Sequence, residues 1–191
     1  MAGYYQNATK TKNIEIEKAD ITSDNTFESE VIEAKLYENQ FQQLLAQKMV
    51  KILNKAVLGT DKTVSISKIT QFFKYMKRCI HITLQESIHM YALLQRFASI
   101  QAERGVQYLN KSNIGTMLVI LVIITLKGLR DEVFNNSYFA EEFGIPLTVL
   151  NQSEIAFLRI INYSTLDQGI EYIQLFNEIM YDQDPEIIVV V

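Results

Sequence analysis

One cysteine in 191 residues, Cys79, rules out an intramolecular disulfide and fits a reducing compartment. Two histidines, His81 and His89, lie eight apart in sequence, which sets them about two helical turns from each other rather than on one metal ion. Proline occurs twice and glycine seven times. The dense turn punctuation of a many-stranded sandwich or barrel is therefore missing, and an all-α fold is expected. The longest apolar run, Met117 to Ile124, falls far short of the roughly 20 residues that cross a bilayer, and Thr125 and Lys127 close it. Met1 to Lys18 contain no apolar stretch of the signal-peptide kind, so a cytoplasmic or nuclear protein without a membrane partner is expected. The Asn-x-Ser/Thr matches at Asn7, Asn135, Asn151 and Asn162 are then chance. A net charge of −4 argues against a nucleic-acid partner, because phosphate binding depends on clustered Lys and Arg.

What the chain does have is apolar periodicity. An apolar content of 48% with 21% charged residues suits one folded domain with a real core. Residues 1–26 lack sustained periodicity and read as a mobile tail. From Phe27, apolar residues recur at spacings of three and four through Val57, predicting an N-terminal helical extension over 27–60 that stops at Gly59. Ile66, Ile69, Phe72, Phe73, Met76 and Ile80 fall on one side of a helix ending near Thr83, whose other face carries Lys68, Lys74, Lys77 and Arg78. The next helix, about Gln85 to Arg104, turns Ile88, Tyr91, Leu94 and Phe97 inward.

Asn110 to Asn113 offer N-cap chemistry to a helix from Ile114 to about Leu129 that is apolar nearly all round, as the centre of a bundle requires. A short helix, about Ser137 to Phe143, ends at Gly144, and Pro146 suits the first turn of a helix using Leu150, Ile155, Phe157, Leu158 and Ile161. A last amphipathic segment uses Leu166, Ile170, Ile173, Leu175 and Phe176. The terminal run Ile187 to Val191 has strand propensity and no partner strand.

Catalysis needs a nucleophile with its base, a carboxylate pair, a metal cluster or a phosphate cradle, and no such motif is present. No enzyme, cofactor, metal or small-molecule substrate is expected. Cys79, beside Lys77 and Arg78, reads as packing. Two ionisable residues stand out. Lys127 closes the central apolar run, and Glu154 lies among Leu150, Ile155 and Leu158. On periodicity alone, Lys127 either snorkels at the helix end with Glu154 on a solvated stripe, or the two are polar partners near the core.

The order of the residues resembles the cyclin family, specifically its single-box, phosphate-signalling P/U type. Tyr75-Met76-Lys77-Arg78-Cys79-Ile80-His81-Ile82-Thr83 is similar to the segment of the family's first box helix, and Gln95-Arg96-Phe97 to its D-R-L-like triplet. Asn113 stands where the third helix starts. Thr125 to Ala140 follow the pattern A-A-K-F-x-D-D-x-x-x-N-N-x-x-[YF]-A, and Gly144, Ile145, Leu150, Asn151 and Glu154 continue it, with the hydrophobic pair at Phe157-Leu158. The similarity covers about residues 69–163.

The resemblance implies a cyclin box, a five-helix bundle around a central hydrophobic helix, over 64–163, with a C-terminal helix and apolar tail over 164–191. It implies a non-catalytic regulator of cell-cycle or phosphate-signalling type that forms a heterodimer with a cyclin-dependent protein kinase and holds the kinase's C-helix in its active position. Lys127 and Glu154 match the family's polar pair at the kinase surface, with Leu129, Phe134 and Leu158 as further contacts. Gln95 replaces the family's usual Asp, and Gly128-Leu129-Arg130 its Phe-x-Asp. These departures leave a second reading, a cyclin-fold scaffold that binds a protein other than a kinase.

Overall fold

The computed structural model of the chain describes residues 32–57, 64–164 and 170–181. The chain divides after Gln40 into two units. The described part of the first, 32–40, is helical, with most of its side chains exposed. The architecture below is that of the second.

Among the described residues the structure is all helix and turn, as expected. Helix α1 of this unit covers 41–56 and turns Phe41, Leu45, Met49 and Leu53 into the core at the three- and four-residue spacing of an amphipathic helix. Helix α2, Ile66–Ile80, starts at Ser65, whose hydroxyl accepts from the Lys68 N–H. It buries Ile69, Phe73, Met76 and Ile80, while Ile66, expected inward, is exposed in its first turn.

The helix stops at Ile80 rather than Thr83. His81 takes a left-handed conformation (φ 53°) and closes α2, and Thr83 instead opens α3, Leu84–Arg104. A capping box explains the switch: the Thr83 hydroxyl accepts from the Glu86 N–H, and the Glu86 carboxylate accepts from the Thr83 N–H at 2.7 Å. Gln95-Arg96-Phe97 lies in the interior of this helix.

Helix α4, Ile114–Leu129, is the central one, with every residue from Leu118 to Leu126 buried. Its N-cap residue Asn113 uses its side-chain oxygen on the Asn110 N–H rather than on the helix, so the loop and not the cap is what that residue fixes. Helices α5, Asn136–Phe143, and α6, Leu147–Ile160, follow as a tight pair joined through Gly144, which is left-handed (φ 61°). The α5 N-cap is Asn135, accepting from the Tyr138 N–H. Pro146 caps α6 from outside it, without a side-chain bond. Helix α6 packs on α3, α4 and α5. Leu150, Phe157 and Ile161 go inward, but Ile155 is exposed.

Helix α7, Ile170–Tyr181, lies against α3, with Phe176 stacked on Phe41 at 5.8 Å. Ile173, expected inward, faces out. The Gln95 amide donates to Glu178 Oε1 at 2.9 Å and to the Tyr91 hydroxyl at 2.9 Å, and Tyr91 donates to the same Glu178 oxygen at 2.6 Å. The carboxylate that residue 95 lacks is thus supplied from α7. The expected tail over 1–26, Leu166 and the run Ile187 to Val191 lie outside the described residues.

Candidate functional site

The end of α4 is held by two carboxylates from two different helices. Lys127 is the last-turn cation of α4, where the helix dipole favours positive charge, and its ammonium donates to Glu154 Oε1 on α6 at 2.7 Å. The Lys127 side chain is 40% exposed and that of Glu154 12%. The pair is therefore a partly covered acid under a cation that reaches solvent. Such a pair contributes at most about 1 kcal/mol to folding once screening is allowed for.

Asn136, the first residue of α5, completes the carboxylate. Its amide donates to Glu154 Oε2 at 2.6 Å and to the Asn151 side-chain oxygen at 2.8 Å. Its own oxygen is buried without a hydrogen-bond partner, and turning the amide over would set that oxygen against the Glu154 carboxylate. The donor requirement of Glu154 thus fixes the orientation of Asn136. In the sequence, Asn136 and Asn151 belong to the pattern that resembles the family, and Asn151 also to a chance glycosylation match, but neither was named as a site residue. The signal was the spacing of Leu147, Asn151, Glu154 and Leu158, which puts all four on one stripe of α6.

Apolar groups flank the polar cluster on the same elements. Phe134, 43% exposed, stacks on Tyr138 of α5 at 4.4 Å and meets Phe139 edge-on. Leu147 and Ile155 of α6 are exposed, Leu129 is half-buried, and Leu158 is half-buried against the core. Of the five sequence-expected site residues, the structure bonds Lys127 to Glu154 directly. Phe134 is accessible on the segment between α4 and α5, and Leu158 shares its packing between core and surface.

Three residues beyond Lys127, Arg130 turns the other way. Its Nε and Nη2 both donate to the Glu86 carboxylate, Nη2 at 2.8 Å, and its remaining N–H groups reach the carbonyls of Ile80 and His81. The residue that departs from the family pattern is therefore a clamp between the end of α4 and the α2–α3 corner. Burial raises the Glu86 carboxyl pKa, but the Arg130 hydrogen bond, the Thr83 N–H and the Arg130 charge outweigh it, and the net value lies below the ordinary one. The Glu86 hydrogen bond correspondingly raises that of Arg130 against its own burial.

Among the described residues no cluster of His, Cys, Asp and Glu is arranged to hold a metal ion, and no helix is long and apolar enough to cross a membrane. The arrangement offers fixed donors and acceptors beside exposed aromatic and aliphatic surface, which is the composition of a protein-binding face. The family model for cyclins matches residues 5–165 of the chain. No curated protein and no solved structure matches it.

Proposed function

The chain belongs to the cyclin family, and from that premise we propose that it is a regulatory subunit, itself without catalysis, that binds and activates a cyclin-dependent protein kinase through the Lys127–Glu154 face. The observation that carries this reading is the bond between those two side chains, with the Lys127 side chain 40% exposed. Five helices, α2 to α6, form the box, and we read it as the single-box P/U type associated with phosphate signalling.

In this mechanism Lys127 donates to kinase backbone carbonyls beside the C-helix. Glu154 accepts from kinase N–H groups with the lone pairs that Lys127 and Asn136 leave open. Phe134, Leu129 and Leu158 supply apolar contact around them, and Ile155 and Leu147 extend it along α6. A kinase C-helix bound on this surface is held inward, where its Glu can pair with the ATP-positioning Lys, so activation is preferential binding to the active conformation. Removing one partner of such a charge-assisted contact costs about 2–5 kcal/mol of affinity.

The second reading, a scaffold for a protein other than a kinase, is favoured by the Gly128-Leu129-Arg130 segment, whose arginine is engaged at Glu86 instead of facing a partner. Affinity capture of the tagged protein from its own cells, wild type against Lys127→Glu, followed by mass spectrometry and a kinase assay, separates the two. A cyclin-dependent kinase should be recovered active with wild type and lost with the variant, whose thermal unfolding stays within about 1 kcal/mol of wild type. Recovery of another protein with both forms, and of no kinase, would leave the scaffold.

A further inference from the structure

The turn that ends α6 is strained, and a second helix reaches over to hold it. Asn162 and Tyr163 both take the left-handed conformation (φ 55° each), which residues with side chains rarely adopt, and they do so in succession. The backbone of the turn closes on itself: the N–H groups of Ile161, Asn162, Tyr163 and Ser164 donate to the carbonyls of Phe157, Arg159, Leu158 and Ile161. Arg96 of α3 adds a contact from outside. Its Nη1 donates to the Ser164 carbonyl at 2.6 Å and to the Ser164 hydroxyl oxygen at 2.7 Å.

A cation near the C-terminal end of α6 is favoured by the helix dipole, which explains part of this arrangement. The acceptors are not explained by it. Ser164 lies beyond Ile160, the last residue of α6, and is neutral, whereas Arg96 is half-buried and meets no carboxylate among the described residues. Arg130 shows what such a fork takes when its charge is answered, with Nε and Nη2 both on one carboxylate. The Nε and Nη2 of Arg96 have no such acceptor among the described residues. Its charge is felt nearby, since burial, and after it Arg96, holds His89 below the ordinary 6.5. Ser164 is also unlike Ser65, Ser87, Ser112 and Ser137, whose hydroxyls bond to backbone groups or to an Asn side chain. It is exposed, and its own O–H donates to none of the described residues.

From this juxtaposition we propose that Ser164 is a phosphorylation site whose phosphate is received by Arg96. The phosphoryl group comes from ATP held by a protein kinase. Ser164 Oγ attacks the γ-phosphorus, the O–P bond forms as the bond from that phosphorus to ADP breaks, and the hydroxyl proton passes to the kinase's base. A strained turn opens readily to enter a kinase, and on closing again it sets the new phosphate against the guanidinium, whose unused N–H groups give it charge-assisted bonds. The product ties the end of α6 to α3 more firmly than the serine does. Neither residue belongs to the Lys127–Glu154 face, so the inference is independent of the kinase-activation reading: here the chain is a kinase's substrate.

The protein purified from its own cells with phosphatase inhibitors, digested and read by mass spectrometry, should carry phosphate on Ser164, and its absence from that residue would overturn the proposal. Reception by Arg96 is tested on the full chain with phosphoserine encoded at position 164. In a phosphorus NMR titration the second pKa of the phosphate should lie about half a unit or more below its ordinary value of about 6, and return to it in Arg96→Gln. The His89 imidazole, followed by NMR with His81 as internal reference, should titrate higher with phosphoserine than with serine, because the phosphate answers the Arg96 charge. Phosphoserine at Ser112 adds the same charge elsewhere and should leave His89 unmoved, a comparison that holds whether or not Arg96→Gln folds. A phosphate at 164 that titrates at its ordinary value, or a His89 that responds equally to both positions, would overturn the pairing.

Discussion

Asn136 is the residue on which the Lys127–Glu154 face depends without being charged itself. Replacing it by Asp preserves its shape but sets a second carboxylate 2.6 Å from Glu154 Oε2, where two acids cannot both be ionised at ordinary cost. Asn136→Asp should therefore lower partner affinity about tenfold in the capture assay. Asn136→Ala, which only deletes the donor, should do less.

Two further residues are read by pH. Burial, then the charge of Arg96, holds His89 below its ordinary 6.5, and its Nε2 is buried without a partner. The unfolded chain binds that proton more readily than the folded one. Stability from neutral His89 is thus complete above about 6.5 and declines as pH falls toward the folded value. His89→Gln should flatten this part of the melting-temperature profile. Glu86, whose folded pKa lies below its ordinary 4.5, contributes stability above that value that is lost as pH falls through the folded one. Glu86→Gln should remove this acid limb and cost about 1 kcal/mol at neutral pH, since Arg130 is partly exposed and keeps its bonds to the Ile80 and His81 carbonyls.

At the scale of the helix, α4 carries a cost within its core and another at its end. The Thr125 hydroxyl is buried without a partner, so Thr125→Val, nearly the same shape, should raise the unfolding free energy by about 1 kcal/mol in urea titration. Gly128 lies in the last turn, and a Cβ there would meet nothing within 4 Å. Gly128→Ala should add about 0.5–1 kcal/mol for want of backbone entropy to lose.

Elements were also the most legible part of the sequence. The all-round apolar run of α4, the four inward positions of α2 and the Gly144 stop follow from periodicity and turn chemistry. The α2–α3 corner was not legible, because Ile80 to Thr83 continue an apolar pattern and only the Thr83–Glu86 capping box, a pairing of side chain with backbone, says that a new helix starts. Ile66, Ile155 and Ile173 were counted in the apolar pattern of their helices, yet all three are exposed. The clamp of Arg130 on Glu86 joins residues 44 apart in sequence, and nothing in local pattern links them.

At the largest scale, the core of the second unit extends beyond the five helices α2 to α6 proposed as the box. Phe41, Leu45, Met49 and Leu53 of α1 belong to the same buried cluster as Phe73, Leu94, Leu121 and Phe157, and the first four are fully buried. A fragment starting at residue 64 would present that surface to water. It should lose its cooperative thermal transition and bind a hydrophobic dye, whereas the full chain melts in one step. Leu45→Ala in the full chain should cost about 2–5 kcal/mol by the cavity it leaves.

A helix end is ordinarily where a fold begins to fray, and a glycine in the last turn invites it. Here the final turn of α4 is nailed on both sides of Gly128, by Lys127 to α6 and by Arg130 to α3 and the α2–α3 corner. Its amides should consequently exchange with solvent as slowly as those of a helix interior. Loosening one nail should be felt at the other: breaking the Glu86 contact lets the turn unwind, and Lys127 drifts from Glu154 although nothing near it has changed.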